Sequence, residues 1–277
     1  MTDPATDPLA DARAWWRTAI IDMEPDHIRL RGYPIEQLIG AVTFPQMIWL
    51  MTRGELPSRS QADLLQAALV ASVDHGPQAP SIAIARMAMT CGIGLNNAMA
   101  SAVNVLGDVH GGAGQQAMEL YAAVLDIADG GAIETAAQAE VSVRLARKQI
   151  VPGFGHRFHR VDPRATRLAR LIDGAVAAGT VDGRALAAAR AVEAALRARK
   201  GKPVPMNIDG ITAAVYAELG FSPLQGRGLF ILSRAVGVMA HACEQAGQGG
   251  RIKGPMPVSV PYAYDGPAER PVPGGQS

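Results

Sequence analysis

Six histidines are available to this chain of 277 residues, and three of them, His75, His110 and His156, sit beside glycines. His110 lies in GDVHGGAG, directly before a run with helical spacing from Gln115 to Ala128. Glycines on both sides permit a tight turn and the close approach of a ligand. A helix N-terminus disfavours imidazolium, and a neutral imidazole there can donate one hydrogen bond to an oxygen that is gaining charge. The plain alternative is a glycine-rich turn with an incidental histidine. His156 lies in VPGFGHRFHRVDPRATR, with Arg157, His159, Arg160, Arg164 and Arg167 following within eleven residues. Such a run is either a solvated basic loop or a site for a carboxylate or phosphate. Arg164 favours the second reading. It falls in the first turn of a helix that Asp162 caps, where a cation meets the positive end of the dipole, and a bound anion removes that conflict.

Asp209, in PMNIDGITAAVY, is either an N-cap or an acid–base group. Arg234 stands inside the almost wholly apolar GLFILSRAVGVMAHAC, where a buried guanidinium requires an internal acid or a bound carboxylate. His75, in SVDHGPQAP, ends a helix at a proline-rich loop and alone indicates little.

In chain order, RGYPIEQL, GELP, DHG, GDVHGGAG, GFGHRFHRVDPR, NIDG and LSRAVGVMAH resemble the citrate synthase superfamily over about Ile20 to Tyr264. The likeness is greatest to its short branch, citryl-CoA lyase and the corresponding module of ATP citrate lyase. The resemblance implies a mainly α-helical homodimer or higher homo-oligomer, with a large lobe (1–111 and 229–277), a small lobe (112–228) and the active site between them. It makes Asp209 the acid or base at the acetyl methyl carbon. His110 holds the thioester oxygen as it becomes an enolate. His156 polarises the keto carbonyl, or takes the hydroxyl proton in cleavage. His75, Arg164 and Arg234 match substrate-carboxylate positions, and Arg157, Arg160 and Arg251, with Lys253, form a phosphate clamp for coenzyme A.

These residue types suit the chemistry. A thioester α-proton is too weakly acidic for an unaided carboxylate, so the base must be positioned while the enolate oxygen is stabilised. The implied reaction is cleavage of citryl-CoA, or a related 3-hydroxy-acyl-CoA, to acetyl-CoA and oxaloacetate. The alternatives are a citrate or 2-methylcitrate synthase-like condensing enzyme and a non-catalytic CoA-binding paralogue. Coenzyme A thioester is substrate; no permanently bound cofactor and no metal site are expected. Two departures from the family pattern stand out. The His156–Arg164 spacing is one residue shorter than in many synthases, and RIKGPMP replaces an arginine-rich tail element that reaches the partner subunit's site. Lys253 is therefore expected to contact substrate carboxylate across a dimer.

The elements that must position these groups read as helices, an all-α fold. Ser58 and Gln61 form a capping box before Leu64, Leu65, Leu69 and Val73. The Gln115–Ala128 helix closes at Gly130 and Gly131. Pro163 opens a helix lined by Leu168, Leu171, Ile172 and Val176 and stopped at Gly179. Arg184 to Lys200 is another, and Gly228 to Gln245, apolar nearly all round, should be buried. Strand signals are confined to a small hairpin, Ile20–Asp22 with Ile28–Arg31, and an extended run from Val258 to Tyr264. At 48% hydrophobic and 18% charged the chain is not disordered. Its net charge of +1 gives no general grip on nucleic acid or an acidic membrane. The two cysteines, Cys91 and Cys243, provide no disulfide framework. No apolar window spans a membrane and the polar start is no targeting peptide, so a cytoplasmic protein is expected.

Overall fold

Ser58 and Gln61 exchange side-chain and backbone hydrogen bonds across the start of a helix, and Ser222 and Gln225 do the same farther along. Each box satisfies N–H groups that the first helical turn leaves without partners. The computed structural model describes residues 9–156, 160–254, 256–257, 259–271 and 273. In chain order these form α1 (Ala10–Trp15), β1 (Ile21–Glu24), β2 (His27–Leu30), β3 (Tyr33–Pro34), α2 (Ile35–Leu38) and α3 (Phe44–Arg53). There follow α4 (Arg59–Ser72), α5 (Pro80–Thr90), α6 (Leu95–Asn104), α7 (Ala113–Ala128), α8 (Ile133–Ala146) and α9 (Pro163–Ala177). The last are α10 (Arg184–Lys200), α11 (Ile208–Glu218) and α12 (Pro223–Gln248).

The fold is mostly helical, and the small hairpin is present with Ile21 paired to Leu30 and β3 added on the far side of β2. Residues 259–264 join no sheet, while Val258 lies outside the described residues. α7 begins two residues before Gln115 and ends, as expected, at Ala128, but its C-cap is Asp129 and not the following glycines. Asp129 itself takes the left-handed conformation, φ 42°, which a short polar side chain tolerates. α10 starts at Gly183, which has no side chain to cap with. The Glu218 carboxylate of α11 accepts the Gly183 and Leu186 N–H groups instead, each at 2.9 Å.

α11 is buried from Gly210 through Tyr216 and packs against α7, α9, α10 and α4. Tyr121, Leu120, Val124, Ile211, Leu186 and Leu65 fill this core, each contributing about 1.5–3 kcal/mol by leaving water. A second cluster joins α5, α6 and α12 through Ala79, Ile82, Ala85, Ala102, Val238 and Ala242, and its four alanines allow close helix approach. The expectation that the Gly228–Gln245 segment is buried all round does not hold. α4, α5, α6 and α7 cover one side of α12, leaving Leu232, Val236 and Met239 at 49%, 52% and 43% exposure. Among the described residues no helix is long and apolar enough to cross a membrane.

Candidate active site

Asn207, not Asp209, caps α11. Its Oδ1 accepts from the backbone N–H of Asp209 at 3.0 Å and of Gly210 at 3.2 Å, while its Nδ2 donates to the Gly155 carbonyl at 2.9 Å. The N-cap alternative for Asp209 is thereby set aside: its carboxylate is not used in capping. Residues 153–155 and 205–207 pair as short extended segments, with Asn207 N–H on the Gly153 carbonyl at 3.0 Å and Gly155 N–H on that of Pro205 at 2.7 Å. The loop that ends in His156 is therefore fixed to the helix that carries Asp209. Burial pushes the Asp209 carboxyl above the usual carboxylate range, while the positive charges of Arg234 and Arg164, and His110, pull it back.

His110 occupies a turn in which Gly111 has φ +99° and lies against Leu106 and Phe230. Its Nε2 is 3.2 Å from the backbone N of Ser81 and 3.0 Å from the Ser81 hydroxyl. A backbone N–H can only donate, so Nε2 accepts and the neutral ring carries its proton on Nδ1. Burial lowers the His110 pKa, with Arg234 adding to the effect and Asp209 opposing it. The helix end against the ring is thus that of α5, where Pro80 and Ser81 form the first turn, and not that of the helix following His110.

His75 and His156 meet edge to face with ring centroids 6.2 Å apart. Burial lowers the His75 pKa, followed by the charges of Arg164, Arg234 and His156. Arg164 needs no bound anion to explain its place at a helix start. The fully buried Asp162 carboxylate accepts from Arg164 Nε at 3.0 Å and Nη2 at 2.9 Å while also accepting the Arg164 backbone N–H. Burial works against the Asp162 charge, but these hydrogen bonds hold its pKa below the usual value.

Arg234 is different. It is 4% exposed, donates from Nε to the Ser72 carbonyl at 3.2 Å and stacks over Phe230 at 4.9 Å. Among the described residues no carboxylate forms an ion pair with it. Burial lowers its pKa, with Asp209 and Asp74 opposing. Arg234, Arg164 and His110 thus act on Asp209, one arginine paired and the other buried without a carboxylate partner, a setting suited to a substrate bearing several carboxylates.

Two of the cations expected to form one phosphate clamp line clefts. Arg160 lines a cleft of about 340 Å³ with Arg190, Arg197 and Val204. Lys253 lines another of about 510 Å³ with Pro77, Gln78 and Arg86 of its own chain. Exposed Arg251 lines neither cleft; the tail turns back on α5, where Ile252 and Lys253 N–H groups bond to Thr90. Arg157 lies outside the described residues.

The sequence matches the family described as citrate synthase, C-terminal domain, over residues 12–69 and 58–256. The chain belongs to the citrate synthase family. This citrate synthase-family chain is 30% identical over 252 residues to the 2-methylcitrate synthase of Mycobacterium tuberculosis, covering 90% of itself and 60% of that protein. It is 32% identical over 214 residues to the citrate synthase of Haloferax volcanii, 76% of itself and 53% of that protein. It therefore spans little more than half of the curated relatives it matches. Against the structure of citryl-CoA lyase from Hydrogenobacter thermophilus the TM-score is 0.80 at 31% identity, over 92% of this chain and 97% of that one.

Ser81 bonds His110, Asn207 caps the helix that carries Asp209 and Asp162 pairs with Arg164; of the three, the sequence alone singles out only Asp162, as a cap. The Pro80-Ser81 helix start and the Asn207 two residues before Asp209 are signals of local capping, and neither motif discloses the distant group it holds.

Proposed function

We propose that this chain cleaves citryl-CoA to acetyl-CoA and oxaloacetate. The observation that carries the reading is that the positive charges of Arg234 and Arg164, with His110, act on the buried Asp209, while Arg164, Arg234 and His156 act on His75. It is supported by likeness to a citryl-CoA lyase over nearly that enzyme's whole length. In this scheme His156 takes the hydroxyl proton of the citryl group. The bond between the carbinol carbon and the thioester methylene breaks; the new carbonyl leaves as oxaloacetate, and the electron pair passes into the thioester enolate. The His110 Nδ1–H bonds the enolate oxygen, and Asp209, whose burial favours the protonated carboxyl, delivers a proton to the methylene carbon. His75, Arg164 and Arg234 hold the substrate carboxylates. Arg160, with Arg190 and Arg197 along its cleft, takes coenzyme A phosphates, and Arg157 and Arg251 are assigned to the same cofactor-sized substrate.

The same proposal includes a homodimer and a cytoplasmic location. It also includes a division into a lobe of residues 1–111 and 229–277 and one of 112–228, with the site between. The test is mass spectrometry of purified protein incubated with citryl-CoA. Equal release of acetyl-CoA and oxaloacetate is expected, and unchanged citryl-CoA refutes the reading. A condensing reaction is the second reading, favoured by the match to 2-methylcitrate synthase over 90% of this chain. Incubation with acetyl-CoA or propionyl-CoA and several 2-keto acids separates the two.

A further inference from the structure

Four polar residues recur at seven-residue intervals along α12: Arg227, Arg234, His241 and Gln248. Seven residues are close to two helical turns, so the four share one face. Each reaches a different segment. Arg227 Nη2 pairs with Asp108 at 2.5 Å, two residues before His110. Arg234 bonds Ser72, and Gln248 accepts from Arg86 Nη2 of α5 at 2.7 Å. His241 Nε2 lies 3.2 Å from Asp74 Oδ1, immediately before His75.

Around His241 the donors and acceptors have one arrangement. Arg86 Nη1 is 3.3 Å from His241 Nδ1 and 2.5 Å from Glu244 Oε2. A guanidinium only donates, so Nδ1 accepts and Nε2–H is given to Asp74. The other Asp74 oxygen accepts the Gly76 N–H at 3.1 Å, closing a turn around His75. Gly237 lets α12 approach this turn: a β-carbon there would overlap the Val73 carbonyl and stand 3.2 Å from Asp74 Oδ1. Among the described residues the His75 imidazole makes no hydrogen bond of its own, so its aim depends on the backbone turn that presents it and on its edge-to-face contact with His156.

We propose that His241 is a positioning residue. It orients the Asp74 carboxylate, which holds the Asp74–Gly76 turn and thereby sets His75 toward the substrate carboxylate. The proposal rests on the reading of His75 as a substrate contact.

The test uses His241→Leu, Asp74→Asn, the double variant and His241→Gln, which keeps a donor. In citryl-CoA cleavage each single loss should raise KM about tenfold with kcat within about threefold, the double should be no worse than either single, and His241→Gln should recover most of the loss. Thermal midpoints should stay close to wild type. An unchanged KM, additive losses, or a fall in kcat that tracks lost stability overturns the proposal. Histidine-ring NMR of the free protein, with the His75 signal identified by its absence in His75→Gln, gives a second readout that needs no substrate. That signal should move in His241→Leu and Asp74→Asn and return in His241→Gln; no movement overturns the proposal. Absence of turnover in the wild-type chain counts against the citryl-CoA reading alone, and the ring signal then decides the positioning role.

Discussion

A β-carbon on Gly153 would stand 2.7 Å from Gly210 Cα, and one on Gly210 would overlap the Gly153 carbonyl oxygen. Two backbones therefore touch where most proteins place side chains, and that contact joins the His156 loop to the Asp209 helix. Gly210 has no positive φ, so Gly210→Ala tests steric contact alone. It should destabilise the fold by about 1–3 kcal/mol, as overpacking does. Turnover should fall by more than the lost stability explains, because the two reacting groups move apart. Chemical denaturation beside citryl-CoA turnover measures both.

Asp209→Asn keeps the shape and removes the titrating group. Turnover should drop by roughly two to four orders of magnitude with coenzyme A binding retained. Folding raises the Asp209 pKa above its ordinary 3.8, so the folded chain holds this proton to higher pH than the unfolded one. Its stability contribution is full below 3.8 and is lost as pH rises through the folded value. The asparagine variant lacks that loss and should be at least as stable as wild type at neutral pH. A less stable variant with near-normal turnover would return Asp209 to a structural role.

Asp162 has the opposite sign. Folding lowers its pKa, so its contribution is full above 3.8 and is lost as pH falls through the folded value. Asp162→Ala leaves Arg164 without its partner and α9 without its cap. The expected cost is about 3 kcal/mol, near the low end for a broken buried pair because Arg164 keeps a quarter of its side chain in solvent. Urea unfolding from acidic to neutral pH should show the two proteins converging at low pH; a constant gap rules out the ion pair as the cause.

Lys253→Ala should raise KM for citryl-CoA with little change in thermal midpoint, since the side chain lines a cleft while the backbone N–H anchors the tail to Thr90. A mixed dimer of Asp209→Asn with Lys253→Ala locates its action. Half the wild-type activity means that Lys253 serves the partner's site. Activity well below half at low citryl-CoA means that it serves its own.

The Ser58–Gln61 capping box and the Pro163 start of α9 are legible in sequence because they depend on contacts between residues no more than four apart. The same locality made His110, His156 and Asp209 visible, since glycines and a helix start surround them in the chain itself. What those groups do to one another is not local. Asn207 rather than Asp209 caps α11 because Asn207 also reaches Gly155, 52 residues away. The His110 tautomer is set by Ser81, 29 residues earlier, at the start of a different helix. Arg164 and Asp162 are near neighbours in sequence, yet only packing that removes Asp162 from water turns an ordinary cap into a buried ion pair. The face of α12 that carries Leu232, Val236 and Met239 stays exposed although the Gly228–Gln245 run is apolar nearly all round, because burial depends on which helices arrive beside it. Sequence determined the main helices and the candidate reactive side chains, since both are read from short-range chemistry. Tertiary structure decided charge state, orientation and exposure, which depend on the solvent and charges that distant segments bring or exclude.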